Sequence, residues 1–141
     1  MIYLDTNILI YAIENHPKYG AASRRILSDI ERKKLVAGAS SLMLLEVVGA
    51  LRKLNVVLRK RREPLLDIAK NIDAIVSLPI IWFDVTAIVI QRATQRLGSL
   101  HPADAVHAVT AEIEGMREIY SADADFDDIP GLRRVDPLTM S

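Results

Sequence analysis

Ile2-Tyr3-Leu4-Asp5-Thr6-Asn7, continued by the apolar-rich residues 8–13 and stopped at Glu14-Asn15-His16-Pro17, decides how this chain folds. Three apolar residues that end on a carboxylate read as a short buried strand, and the segment behind them reads as a helix. A strand that runs straight into a helix is the opening of a βα unit, and the rest of the chain repeats the alternation. Residues 19–34 place apolar side chains at 21, 22, 26, 27 and 30 with basic residues between them, which is helical spacing. Residues 35–39 read as a second strand, and Ser40-Ser41 offers N-cap chemistry for a helix over 42–54 that continues through 56–63. Pro64 suits the first turn of another helix reaching Ser77. Residues 79–83 form a third strand stopped at Asp84, and a helix over 86–97 ends at Gly98. Pro102 opens a helix to Glu114, closed by Gly115; residues 118–121 form a fourth strand, and a last short strand falls at 133–135. Strands alternating with helices predict one α/β domain over residues 1–141, a three-layer α/β/α unit with a mostly parallel sheet of four to five strands.

Composition removes several classes of function. The 141 residues suffice for one ordinary domain, and a hydrophobic share of 50% excludes a disordered chain. No apolar stretch reaches the ~18 residues of a bilayer span, and the N-terminus lacks the basic region of a signal peptide. There is no cysteine, so thiolate metal sites and disulfides are excluded and a cytoplasmic location is the expectation. The net charge is zero, yet residues 1–70 carry 13 Lys/Arg against 7 Asp/Glu, and residues 71–141 carry 5 against 11. Arg52-Lys53 and Arg59-Lys60-Arg61-Arg62 hold much of the positive charge, and residues 121–128 hold four aspartates. The basic run is either a solvated helix end or a track for phosphates.

Ligands of open α/β sheets bind beyond the carboxyl ends of the strands, and Asp5 and Asp123 lie at or just after such ends. Glu46 has only Leu42, Met43, Gly49 and Ala50 as helical neighbours, so it falls on a face expected to be buried. An ionised carboxylate there needs an ion-pair partner, a raised pKa or a metal. Asp104, in Pro102-Ala103-Asp104-Ala105-Val106-His107-Ala108, is explained equally by helix-dipole stabilisation at the start of its helix. His101 and His107 are each three residues from it; a hydrogen-bonding or core role suits them better than ligation. Asp5 is a natural N-cap, and Asp123, Asp125, Asp127 and Asp128 suit a polar loop. These bland readings weaken together, because the ends of neighbouring strands and the first turns after them converge on one sheet edge. Oxygen-only donors from separate elements suit Mg²⁺ or Mn²⁺.

The segments 2–7, Ser41-Leu42-Met43-Leu44-Leu45-Glu46-Val47, 103–108 and Tyr120-Ser121-Ala122-Asp123-Ala124-Asp125-Phe126, in this order and spacing, resemble the PIN-domain nucleases, and most nearly the VapC-type toxins of toxin–antitoxin modules. The resemblance spans essentially the whole chain. It implies a metal-dependent endoribonuclease in which Asp5, Glu46, Asp104 and Asp123 form the catalytic, Mg²⁺- or Mn²⁺-binding quartet. Asn7 and Ser121 match polar positions beside the metals, Thr6 supports Asp5, and Asp125 substitutes for or assists Asp123. It implies an RNA substrate, a homodimer and a VapB-like antitoxin that inserts a peptide near the metals, for which residues 44–66 are the docking candidates by composition. Arg52, Lys53, Arg59, Lys60, Arg61 and Arg62 are candidates for RNA or partner contacts. Only seven Phe, Trp and Tyr residues are available to stack on unpaired bases. A dehalogenase-like phosphotransferase would need a second Asp where Asn7 stands, and a phospho-accepting receiver would need an acidic pair where Asp5 stands alone. The remaining alternative is a catalytically silent PIN-like module that binds RNA or protein.

Overall fold

Each strand of this protein is only three or four residues long, so the order in which the strands pair determines the site. In a computed structural model, which describes residues 1–139, five strands form one parallel sheet: β1 (Ile2–Leu4), β2 (Ala37–Ser40), β3 (Ile81–Phe83), β4 (Glu118–Tyr120) and β5 (Arg133–Val135). The order across the sheet is β3-β2-β1-β4-β5, and every pair is parallel. β1 is central, with Tyr3 registered to Gly38 on one side and Ile119 on the other. The direction of winding reverses at β1, so the carboxyl ends of β1 and β4 flank a crevice.

Side chains of β1 alternate between the two faces, as pleating requires. Ile2 and Leu4 pack with Ile8, Leu9, Ile26, Met43, Val47 and Leu51, whereas Tyr3 packs with Ala108, Met116, Ile119 and Phe126. The first layer is built by α1 (Thr6–Ile13), α2 (Gly20–Glu31), α3 (Leu42–Lys60) and α4 (Ile68–Val76); the second by α5 (Ala87–Thr94) and α6 (Pro102–Ile113). A sheet covered on both faces explains why β1 and β2 are buried at every residue. Gly38 is needed there, because a Cβ would stand 2.8 Å from the Phe83 ring.

Several local expectations change, the first being that α5 ends at Thr94 rather than at Gly98. Residues 42–63 form a single helix to Lys60, but Pro64 starts no helix. The chain at 63–67 is irregular, held where Asn55 Oδ1 accepts from the Leu66 amide and Asn55 Nδ2 donates to the Leu66 carbonyl. α4 begins at Ile68, capped by Asp67, whose side chain accepts from the Lys70 amide. Ser41 does not cap α3 through its side chain. Its hydroxyl accepts from the Val85 amide after β3, and Ser40 Oγ accepts from the Leu42 amide instead. No helix among the described residues is long and apolar enough to cross a membrane.

Candidate functional site

Asp5 sits where β1 becomes α1 and does two jobs. It is the N-cap, with Oδ1 accepting from the Thr6 amide at 2.7 Å. Its Oδ2 accepts from Ser121 Oγ at 2.6 Å and from Asn7 Nδ2 at 3.1 Å. Asn7 Nδ2 also lies 3.2 Å from Ser121 Oγ, which accepts from the Asp123 amide. Asp5, Asn7, Ser121 and Asp123 thus form one hydrogen-bonded seam between the ends of β1 and β4. Asp5 is 5% exposed. Burial pushes its carboxyl up from the ordinary value, against the pull of His107 and the Ser121 hydrogen bond.

Glu46 is not on the core face of α3. That face is Met43, Val47 and Leu51, at i, i+4 and i+8, while Glu46 is half-buried and looks into the cleft with Gly49 and Ala50. The partner it needs is His107. Its Nε2 lies 2.5 Å from Glu46 Oε1, and Thr6 Oγ1 donates to the same oxygen at 2.7 Å. Burial raises the Glu46 carboxyl, and His107 and Thr6 outweigh it, so the net shift is downward. His107 itself is fully buried. Its Nδ1 lies 2.5 Å from the Tyr3 hydroxyl, which accepts from the Ser40 amide. With Tyr3 O–H donating to Nδ1 and Nε2–H donating to Glu46, each of these donors is used once. Burial opposes a charge on the imidazole, but Glu46, Asp5 and Asp104 together outweigh it and its pKa is raised. His107 therefore braces the site rather than joining the acids. The only sign of this in the sequence is a histidine amid Ala105, Val106, Ala108 and Val109, a place that demands hydrogen-bond partners.

Asp104 occupies the first turn of α6 behind Pro102 and is half-buried; His101, the N-cap residue, is exposed and makes no side-chain cap. Burial, then Asp5 and Asp123, push the Asp104 carboxyl up to about 6. Oxygen atoms of Asp104, Asp123 and Asp125 lie within 4.8 Å of one another, spacing that suits a common cation. Asp123 caps the 3₁₀ turn Ala124–Asp128, its Oδ1 accepting from the Asp125 amide. Asp127 is engaged elsewhere, in an ion pair with Arg134. An open cleft of about 420 Å³ brings together Asp5, Thr6, Asn7, Glu46, Asp104 and Asp123, with Lys53 and Ile10 at its walls. The donors are hard oxygens, and the crowding of Asp5 and Asp123 on Asp104 is relieved by a divalent cation, so these residues fit Mg²⁺ or Mn²⁺. Of the basic residues, Lys53 reaches the cleft, whereas Arg59 to Arg62 close α3 well beyond it. All six are exposed, and none forms an ion pair with a described residue.

The model of the PIN domain family matches residues 2–132. No curated protein matches the chain. Among solved structures, VapC20 of Mycobacterium tuberculosis, described as a sarcin–ricin loop cleaving toxin, superposes with a TM-score of 0.69 at 19% identity, covering 94% of this chain and 99% of that one. VapBC2 of Rickettsia felis, bound to a DNA fragment from its promoter, gives 0.63 at 23% identity over 96% and 98%. A toxin–antitoxin complex from Klebsiella pneumoniae gives 0.64 at 19% over 97% and 98%.

Proposed function

The chain belongs to the PIN domain family, and from that premise we propose that it is a metal-dependent endoribonuclease of the two-metal type, the VapC-like toxin of a toxin–antitoxin pair. The observation that carries the reading is the convergence of Asp5, Glu46, Asp104 and Asp123 from four elements on one cleft. Asp104 and Asp123, with Asp125 beside them, would hold a Mg²⁺ or Mn²⁺ ion, and Asp5 and Glu46 would serve as further ligands in the same cleft. Bound divalent ions supply Lewis acidity at a phosphodiester and an ionised water at neutral pH, so no protein nucleophile is needed. Asn7 and Ser121 orient Asp5, while Thr6 and His107 hold Glu46 by one oxygen and leave the other for a ligand. Lys53, at the wall, takes the phosphate next to the cleaved bond.

The same reading assigns a cytoplasmic location, RNA as substrate, a homodimer, and a VapB-like antitoxin as partner. Two of the structurally similar proteins support the last point, since one is a toxin–antitoxin complex and the other a VapBC pair. On α3 and the loop after it, Leu45, Val56, Val57 and Leu65 are exposed among the basic residues. That surface, apolar and cationic at once, suits an amphipathic partner segment carrying acidic residues.

The test is cleavage of a mixed pool of structured and single-stranded RNAs by the purified protein with Mn²⁺ or Mg²⁺. Cleavage is expected to stop with chelator and to fall at least 100-fold in Asp5→Asn. Cleavage that survives Asp5→Asn would overturn the site; a folded, inhibitor-free protein that cleaves nothing would leave a silent binding module as the better reading.

A further inference from the structure

Three side chains just past the acidic seam have no role in the chemistry above. Tyr11 lies one helical turn after Asn7 on α1, about 6 Å further along the axis. Its ring stacks on Tyr19, with centroids 5.2 Å apart and planes 15° from parallel. His16 packs against both, at 4.5 Å from Tyr11 and 5.4 Å from Tyr19, and Lys18 Nζ stands 5.2 Å over the Tyr19 ring. His16 Nδ1 accepts from the Lys18 and Tyr19 amides, which locks the imidazole and leaves its proton on Nε2. Among the described residues, neither tyrosine hydroxyl nor His16 Nε2 has a hydrogen-bond partner, and none of the three is a buried unpartnered atom, so each keeps some contact with solvent. The cluster sits close enough to the cleft for the charges of Asp123 and Asp5 to reach the Tyr11 hydroxyl.

The chain has only four tyrosines, and two of them are stacked here beside the cleft. A part-exposed aromatic cluster beside the acidic cleft, with polar atoms that reach solvent and an ammonium group over one ring, is the chemistry that takes an unpaired base and its phosphate. We infer that Tyr11, His16 and Tyr19 form a stacking platform for an unpaired nucleotide of the RNA substrate, one flanking the phosphate held in the acidic cleft. The inference rests on the nuclease reading and adds to it that the substrate is single-stranded on the α1 side of the cleaved bond. Duplex RNA, whose bases are already stacked on each other, is excluded from this subsite.

The experiment measures binding of a fluorescein-labelled oligoadenylate 12-mer to the full chain with chelator present, beside a polyphosphate chain of similar charge that has no bases. Tyr19→Leu and Tyr11→Leu are each expected to weaken the 12-mer by roughly 5- to 150-fold, the range for one stacked base, and to leave polyphosphate unchanged. Tyr19→Phe keeps the ring and is expected to retain binding, which separates lost stacking from lost folding. Annealing the 12-mer to oligouridylate is expected to weaken wild-type binding and to erase the difference between wild type and the Leu variants. The platform is overturned if the Leu variants bind the 12-mer as wild type does, if both polyanions weaken together, or if wild type fails to bind the 12-mer. The nuclease reading is scored separately by metal-dependent cleavage. Unchanged KM in the Leu variants removes the platform and keeps the nuclease; the expected binding pattern without any metal-dependent cleavage keeps the platform and removes the nuclease.

Discussion

Asp104 stands in the first turn of α6, where a carboxylate normally gains from the helix dipole, and yet its pKa is driven up to about 6. Burial and the nearby Asp5 and Asp123 outweigh the dipole. The direction fixes the pH dependence. A carboxyl that holds its proton more tightly in the folded chain than in the unfolded one costs nothing below its ordinary value of 3.8, and costs most above about 6, where folding must ionise it. In the absence of divalent ions, Asp104→Asn is therefore expected to be more stable than wild type at pH 7.5, by roughly 1 kcal/mol once its half exposure is allowed for. The two are expected to converge near pH 4. Millimolar Mn²⁺ is expected to reverse the order at pH 7.5, because wild type alone then gains binding free energy. Urea unfolding at the two pH values, with and without Mn²⁺, reads all of this; a wild type that is the more stable at pH 7.5 without metal would show that the acids do not repel as described.

Three elements meet through one side chain. His107 of α6 joins the Tyr3 hydroxyl of β1 to Glu46 of α3, and the Ser40 amide of β2 closes the network behind Tyr3. Much of this assembly was legible in the residues. The apolar residues just before Asp5 and Ser121 located the ends of β1 and β4, and Gly115, at positive φ, closed α6 where expected, whereas α5 stops at Thr94, four residues before Gly98. The errors have local physical causes. Pro64 permits a helix start but does not compel one, and the Asn55 side chain captures the backbone of Leu66 just beyond it. Glu46 seemed to face the core because Leu42, Met43, Gly49 and Ala50 carry no charge, yet small uncharged residues also line a cleft. The Tyr3–His107–Glu46 link spans 104 positions on one side and 61 on the other, and no periodicity within a helix encodes such a contact. Removing the imidazole leaves two buried polar groups and a void, so His107→Ala is expected to cost about 3 kcal/mol in urea unfolding. His107→Gln, which can still donate to Glu46, is expected to recover part of that loss and to bind Mn²⁺ more tightly than the alanine variant. Equal stability of wild type and His107→Ala would remove the brace from the account.

Across the whole molecule, the zero net charge hides a division of labour between paired and unpaired charge. The arginines of the acidic half are largely consumed within it: Arg96 pairs with Glu112, Arg133 with Glu118, and Arg134 with Asp127 and Asp136. The six basic residues of α3 and its end pair with no described acid, and they line one helix that starts at the acidic cleft. Fourteen residues separate Glu46 from Lys60, about 20 Å of helix, or about six stacked nucleotides at about 3.4 Å each. Lys53 and the 59–62 run are therefore expected to act at different reach. Lys53→Gln is expected to weaken a tetranucleotide and a 12-mer alike and to lower the slope of log affinity against log salt by about one. Replacing Arg59, Lys60, Arg61 and Arg62 by Gln is expected to leave the tetranucleotide unchanged and to lower the 12-mer's slope by about two to three, since about 0.7 counterions are released per phosphate neutralised on a single strand. Salt titrations of binding with both lengths decide it. If the fourfold variant binds both lengths as wild type does, the run is a solvated helix end and the phosphate track stops at Lys53.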